Sequence, residues 1–306
     1  MLESLGYEHT HDTEKLSMEL RDIAWRIVTT DSLDEKLAEP TTEWTDQSPA
    51  LDRALPMSPG RPANLQPVSA REAKVPKLAG LYDREQRARI VHSLANHELQ
   101  AVELFAWALL AYPTAPRAFR RGLLQILRAE QRHARLYLEY LATLGTRLGD
   151  YPVSAYFWGK AADMQAEPAA FVAAMALTFE QANLDHAADA AKQAYAIGDP
   201  VLQAVLDQVH AEEIRHVRFG WVWLRRFKRH DEDMWDAWTR HLPWPLQASK
   251  AKGRRFDRVA RERAGLDPPF VDAVQASLPL DTPPPPGSPH PRPSIATQVP
   301  SQDPSA

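Results

Sequence analysis

The tightest constraint on this chain's fold is the pattern Glu-x-x-His, which occurs twice on a stripe of apolar residues. In residues 116–144, Phe119, Leu123, Ile126, Glu130, His133, Tyr137 and Leu141 share one face of a 3.6-residue helix. In residues 200–229, Leu202, Leu206, Val209, Glu213, His216 and Gly220 line up in the same way. The i, i+3 spacing sets each Glu–His pair on adjacent turns of that face. A carboxylate and an imidazole in an apolar face cost several kcal/mol unless something compensates them.

Two more periodic segments each carry one inward carboxylate. Residues 83–111 give the stripe Val91, Leu94, Glu98, Ala101 and Phe105, and residues 168–197 give Val172, Ala176, Glu180, Asn183 and Ala187. Glu98 precedes Glu130 by 32 residues, and Glu180 precedes Glu213 by 33. The chain therefore reads as two helical hairpins, each of the form Glu … Glu-x-x-His. The predicted fold is all-α, a four-helix bundle. Gly145 and Gly198 follow the second and third helices as C-terminal caps, and Asp199-Pro200 starts the fourth.

Four glutamates and two histidines converging in a bundle core form the ligand set of a carboxylate-bridged two-metal centre. The candidate ligands are Glu98, Glu130, His133, Glu180, Glu213 and His216. Charge supports the assignment, because four carboxylates balance two divalent cations. Without metal the carboxylates repel, and some stay protonated. No basic residue lies on the four stripes to neutralise them. Oxygen and imidazole donors suit iron, with manganese or a mixed pair as alternatives. The chain has no cysteine, which excludes thiolate zinc sites, iron–sulfur clusters and disulfides.

Several neighbours compete for roles. Glu103, about 140° around the helix from Glu98, is expected at the surface or between helices. Glu212 falls one residue off its stripe. His210, Asp185 and His186 are candidates for orienting a ligand histidine, or for ordinary polar contacts. Tyr137 is either a core tyrosine or a donor of an electron or hydrogen bond. Trp107, Trp221 and Trp223 read as packing.

Outside the bundle, residues 1–80 form an N-terminal helix near 14–30 followed by an extended arm. Seven prolines between Pro40 and Pro76 break helical periodicity in that arm. Residues 231–278 hold further helices, near 231–241 and 250–264. Residues 279–306 contain ten prolines and are expected to be disordered. No strand is predicted. The net charge of −4 gives no electrostatic footprint for nucleic acid. No secretory signal or membrane span is read, so a soluble cytoplasmic location is expected.

The segments "GRP" (60–62), "NHELQAVEL" (96–104), "AEQRHARL" (129–136), "FEQANLD" (179–185) and "EEIRHVRFGWVWL" (212–224) resemble the ferritin-like superfamily. More closely, they resemble an uncharacterised bacterial ferritin-like family, a domain of unknown function. The resemblance implies the fold and the metal site, but no reaction. The chain departs from the family's pattern at Asn183, where glycine is usual, and at Ala134, where an aromatic residue is usual. Neither position is a proposed ligand.

Among the jobs of ferritin-like two-metal proteins, iron storage fits poorly with the Pro-rich arm and tail. Peroxide reduction often uses a cysteine-ligated iron, which this chain lacks. The leading expectation is an O₂-activating oxidase or monooxygenase acting on a small molecule, with an external electron donor. The alternatives are a tRNA-modifying hydroxylase, for which Arg117, Arg120, Arg121 and the run at 225–230 would supply basic surface, and a metal-binding or scaffolding protein without turnover. The substrate and the oligomeric state are not legible.

Overall fold

Four long helices dominate the computed structural model, which describes residues 17–39 and 43–293. The N-terminal residues 1–16 and the final tail residues 294–306 lie outside the described residues. The chain opens with a short strand, β1 (Met18–Glu19), then α1 (Leu20–Thr29) and α2 (Leu33–Leu37). A second strand, β2 (Trp44–Thr45), pairs in parallel with β1. This two-residue ladder corrects the expectation of no strand, and is too short to leave a period-2 signal.

The long helices are α3 (Arg84–Ala111), α4 (Arg117–Thr143), a composite third helix and α8 (Pro200–Phe227). The short α5 (Ala161–Met164) precedes the composite one, which runs as α6 (Pro168–Phe171), a π-helix (Val172–Phe179) and α7 (Glu180–Ala196). α3 packs mainly on α4 and α7 on α8, and contacts between α4 and α8 join the two hairpins. The predicted ends hold. The Asp83 and Asp199 carboxylates accept hydrogen bonds from the backbone N–H groups of Gln86 and Leu202. Gly145 and Gly198 adopt φ of +70° and +72°, the left-handed caps that only glycine takes without strain.

The π segment was not legible as such. The widened turn opens the Ala173 carbonyl to side chains, and it accepts from Thr178 Oγ1 (2.8 Å) and Trp238 Nε1 (3.1 Å). Gly220 lets α8 approach closely here, because a Cβ at that position would lie 2.6 Å from the Ala176 Cβ.

The N-terminal arm packs on the helices. Leu20, Ala24 and Val28 of α1 are fully buried, and α1 lies against α3. Gly60 passes so close to the end of α1 that a Cβ would meet the Thr29 carbonyl oxygen at 2.0 Å. That approach delivers Arg61 into the interior. Beyond α8 lie α9 (Met234–Arg240), α10 (Arg258–Arg263) and α11 (Pro268–Ala276).

The Pro-rich tail corrects another expectation. Residues 279–293 are mostly exposed but anchored to α9 at His290: Trp235 Nε1 donates to the His290 carbonyl at 3.0 Å, and His290 N–H donates to Thr239 Oγ1 at 2.9 Å. A proline-rich composition forbids helix but not an extended segment anchored by the residues between its prolines. Among the described residues, no helix is long and apolar enough to cross a membrane.

Candidate metal centre

The structure brings all six predicted ligands together in the interior. Glu98, Glu130, His133, Glu180, Glu213 and His216 are each 6% exposed or less. They form two overlapping groups. Glu98, Glu130, His133 and Glu213 each offer a ligand atom within 4.8 Å of the others, and so do Glu130, Glu180, Glu213 and His216. Glu130 and Glu213, the two carboxylates of the Glu-x-x-His motifs, belong to both groups. Each half keeps one further carboxylate and one histidine of its own.

The local contacts are those of an unfinished site. His216 Nδ1 lies 2.9 Å from Glu130 Oε1 and 3.0 Å from Glu213 Oε2. His133 Nδ1 lies 3.4 Å from Glu130 Oε2 and 3.7 Å from Glu98 Oε2. Proximity is not alignment, however. Neither oxygen of Glu130 and neither nitrogen of His133 has a hydrogen-bond partner, although all four atoms are sealed from solvent. Buried polar groups left in this state are rare and ask for an explanation. His133 Nε2 faces Glu212 outside the cluster, but both Glu130 oxygens and His133 Nδ1 face the other candidate ligands, so these groups could hold metal ions.

The electrostatics point the same way. Burial, and then the Glu130 charge, push the Glu98 carboxyl well above its ordinary range. Burial with Glu213 and Glu130 does the same to Glu180. Burial also works against Glu130, but the two imidazoles outweigh it and hold that carboxyl well below its usual value. Burial disfavours charge on the histidines, yet the carboxylates around them prevail. They raise His133 well above its ordinary value and push His216 up to about 9. Protons thus occupy the metal-free cluster where cations would compensate it. Among the described residues, the ion pairs formed by these four carboxylates are to histidine alone.

Other predicted residues take different places. Of the two positions expected for Glu103, at the surface or between helices, burial excludes the first. Glu103 is not a member of the cluster. Arg61 donates to it through Nε (3.0 Å) and Nη2 (2.7 Å), Trp158 Nε1 donates at 2.8 Å, and Lys36 Nζ sits 3.3 Å away. Asp185 does not orient a ligand histidine. It receives a two-pronged contact from Arg261 (2.7 and 2.9 Å) and accepts from the backbone N–H groups of Gly253 and Asp257. His210 pairs with Asp257 at 3.1 Å, and His186 is exposed.

Tyr137 is buried beside the cluster, where burial and the charges of Glu98, Glu213 and Glu130 raise its phenol well above the ordinary value. Trp107, Trp221 and Trp223 are core residues, as expected.

Two residues matter more than their sequence positions suggested. Glu212 lies 3.3 Å from His133 Nε2 and accepts from Arg132 at 2.9 Å. The His133 contact, with help from Arg132 and against partial burial, holds its carboxyl down to about 2. A carboxylate behind a histidine fixes the ring and strengthens it as a ligand. The available signal was position: the residue before a ligand glutamate turns toward the neighbouring helix. Asn183 also reaches the cluster, donating through Nδ2 to Glu213 Oε1 at 3.0 Å. The chain's departure from the resembled pattern therefore touches a candidate ligand after all, whereas Ala134 is simply buried.

A family model described as "Protein of unknown function (DUF455)" matches residues 19–272. No curated protein and no solved structure matches the chain.

Proposed function

The chain belongs to the family described as Protein of unknown function (DUF455), and from that premise we propose that it is a ferritin-like dinuclear metal protein that activates O₂ to oxidise a small molecule. One observation carries the reading. Four buried carboxylates and two imidazoles face one point, their ion pairs are to histidine alone, and several of their atoms lack partners. A buried charge cluster of this kind is stable only when something positive enters it.

Glu98 and His133 would hold one metal, Glu180 and His216 the other, with Glu130 and Glu213 shared. Iron is the preferred occupant, with manganese or a mixed pair as alternatives. Iron bound there would supply the electrons that reduce O₂, with an external donor restoring them. The protein's own part is to exclude bulk water, to hold His133 through Glu212 and Glu213 through Asn183, and to keep Tyr137 neutral beside the centre.

The tRNA-hydroxylase alternative is not favoured. Arg120, needed for its basic patch, is 1% exposed and bound by the Asp46 carboxylate at 2.7 and 2.8 Å.

The test is elemental analysis after aerobic and anaerobic purification, followed by O₂ uptake by the reduced, iron-loaded protein. Two metals per chain with O₂ consumption are expected. Two metals without uptake would leave a binding or scaffolding protein, and no bound metal would end the proposal.

A further inference from the structure

The cluster is approached from one side by a cavity of about 380 Å³. Its lining includes Glu98 and Glu180 from the cluster but neither of the cluster's histidines. The volume lies within the roughly 300–1,000 Å³ of small-molecule sites. Two stretches distant in sequence finish its walls, and each is tied down by a buried polar group.

The first wall is aromatic. The Phe157 ring lies 4.6 Å from that of Phe179 and 5.2 Å from that of His97, and Tyr156 completes the cluster 5.7 Å from Phe179. This wall is held from α3: Gln100 Oε1 accepts from Phe157 N–H at 3.1 Å, and Asn96 donates to the Ser154 carbonyl at 3.1 Å. The second stretch is 249–252, which contributes Ser249, Lys250 and Lys252. Asp185 fixes it through Gly253 N–H (2.7 Å). Gly253 packs so tightly that a Cβ there would lie 2.8 Å from the Asp185 Cβ.

The chemistry of that second stretch is unspent. Ser249 Oγ is sealed from solvent and has no hydrogen-bond partner. Lys250 is exposed. Lys252 donates to the Gln275 carbonyl, which uses one of the three protons an ammonium carries. Glu98 and Glu180, the carboxylates in the lining, face the cluster, and on the dinuclear reading their charge is committed to metal. Two ammonium groups then remain for whatever enters.

Resting on that reading, we infer that the cavity takes a small molecule with a flat aromatic body and an anionic head group. The body lies along Phe157 and Phe179 with its far end toward Glu98 and Glu180, and the head sits at Lys250 and Lys252. An aromatic face favours offset contact with other rings, and a charge-assisted hydrogen bond to ammonium selects an anion over its neutral isostere.

The probes are phenylacetate, phenylbutyrate and phenylhexanoate, each with its primary amide, measured by calorimetry on Mn(II)-loaded and metal-free protein. At least one acid is expected to bind both forms, with its amide weaker by about tenfold or more. K250A/K252A is expected to bring the acid down to the affinity of the amide while Mn(II) stoichiometry is unchanged. Phe157→Ala should weaken acid and amide alike. Four results would overturn the assignment: no binding by any acid, equal binding of acid and amide, binding that survives K250A/K252A, or binding that needs metal and ignores the lysines. If Mn(II) does not bind but an acid still binds through the lysines, the dinuclear reading fails alone and the head-group assignment stands.

Discussion

Glu98 and Glu103 stand five residues apart on the same helix, and both are buried, yet their surroundings are opposite. Glu103 is met by the forked Arg61 guanidinium, by Lys36 and by an indole N–H. Lys36 in turn donates to the carbonyls of Ile27 and Val28 at the end of α1. Glu98 is grouped with two other glutamates, Glu130 and Glu213, and with His133. One carboxylate is compensated by the chain and ties the arm to the helices. The other has only an imidazole for an ion-pair partner and could hold a metal ion. Burial alone therefore does not mark a metal site. What marks it is a buried charge whose neutralisation the protein has not completed.

The largest expected effect tests that contrast on the metal side. Glu130→Ala or His216→Ala should abolish stoichiometric binding of two metals, read by elemental analysis. Glu130 lies 2.9 Å from His216 and 3.4 Å from His133, so Glu130→Ala also removes charge that compensates two buried imidazoles, and the metal-free variant should melt lower than the metal-free parent. A variant that keeps two metals would break the comparison at its stronger end.

Glu103→Ala should behave in the reverse way. It strands two buried cations, and losing one partner of such a pair costs about 3–5 kcal/mol. Denaturant unfolding should show that loss while the folded fraction still binds two metals. Loss of metal without loss of stability would place Glu103 in the centre and overturn the choice of Glu98.

A smaller effect sharpens the contrast within the cluster. Glu212 backs His133, whereas the matching position before Glu130 is Ala129. Glu212→Ala should therefore weaken one metal by about 10–100-fold and spare the other, splitting a binding isotherm into two steps. Equal weakening of both metals would show that the two halves do not differ in this way.

The contrast also explains what the sequence could show. The candidate ligands were legible because helical periodicity is local: Glu130 and His133 betray themselves by sitting among Ile126, Tyr137 and Leu141. The Glu103 network was not legible because its partners Lys36, Arg61 and Trp158 arrive from segments with no shared period. α3 is also buried on more than one side, so a second row, His92, Asn96, Gln100 and Glu103, hides in what a single stripe treats as the outer face. Asp185 misled for the same reason, since its partner Arg261 lies 76 residues away. The four long helices emerged with nearly their predicted ends because caps, like stripes, are written in adjacent residues, whereas the helix expected near 250–264 is only Arg258–Arg263. The placement of 279–293 was not legible, because its anchors on α9 are tertiary.

The smallest step concerns protons, and its sign follows from the shifts in the cluster. Glu98 and Glu180 have raised carboxyl values, so they hold protons at pH where free carboxylates would not. His133 and His216 are also raised, His216 to about 9, so below that pH the imidazole is charged. Metal needs the charged carboxylate and the neutral imidazole, so binding must expel these protons. Acid returns them, and affinity should therefore fall as pH falls, by about tenfold per pH unit for each proton displaced. Above about pH 9 His216 has already released its proton, and the dependence should lose that contribution. Titrating Mn(II) into metal-free protein at neutral pH, in buffers of different ionisation enthalpy, counts the protons released. More than one per chain is expected. A count of zero would mean that the four glutamates are already charged and compensated without metal, which would make the Glu98 cluster the same kind of structure as the Glu103 network.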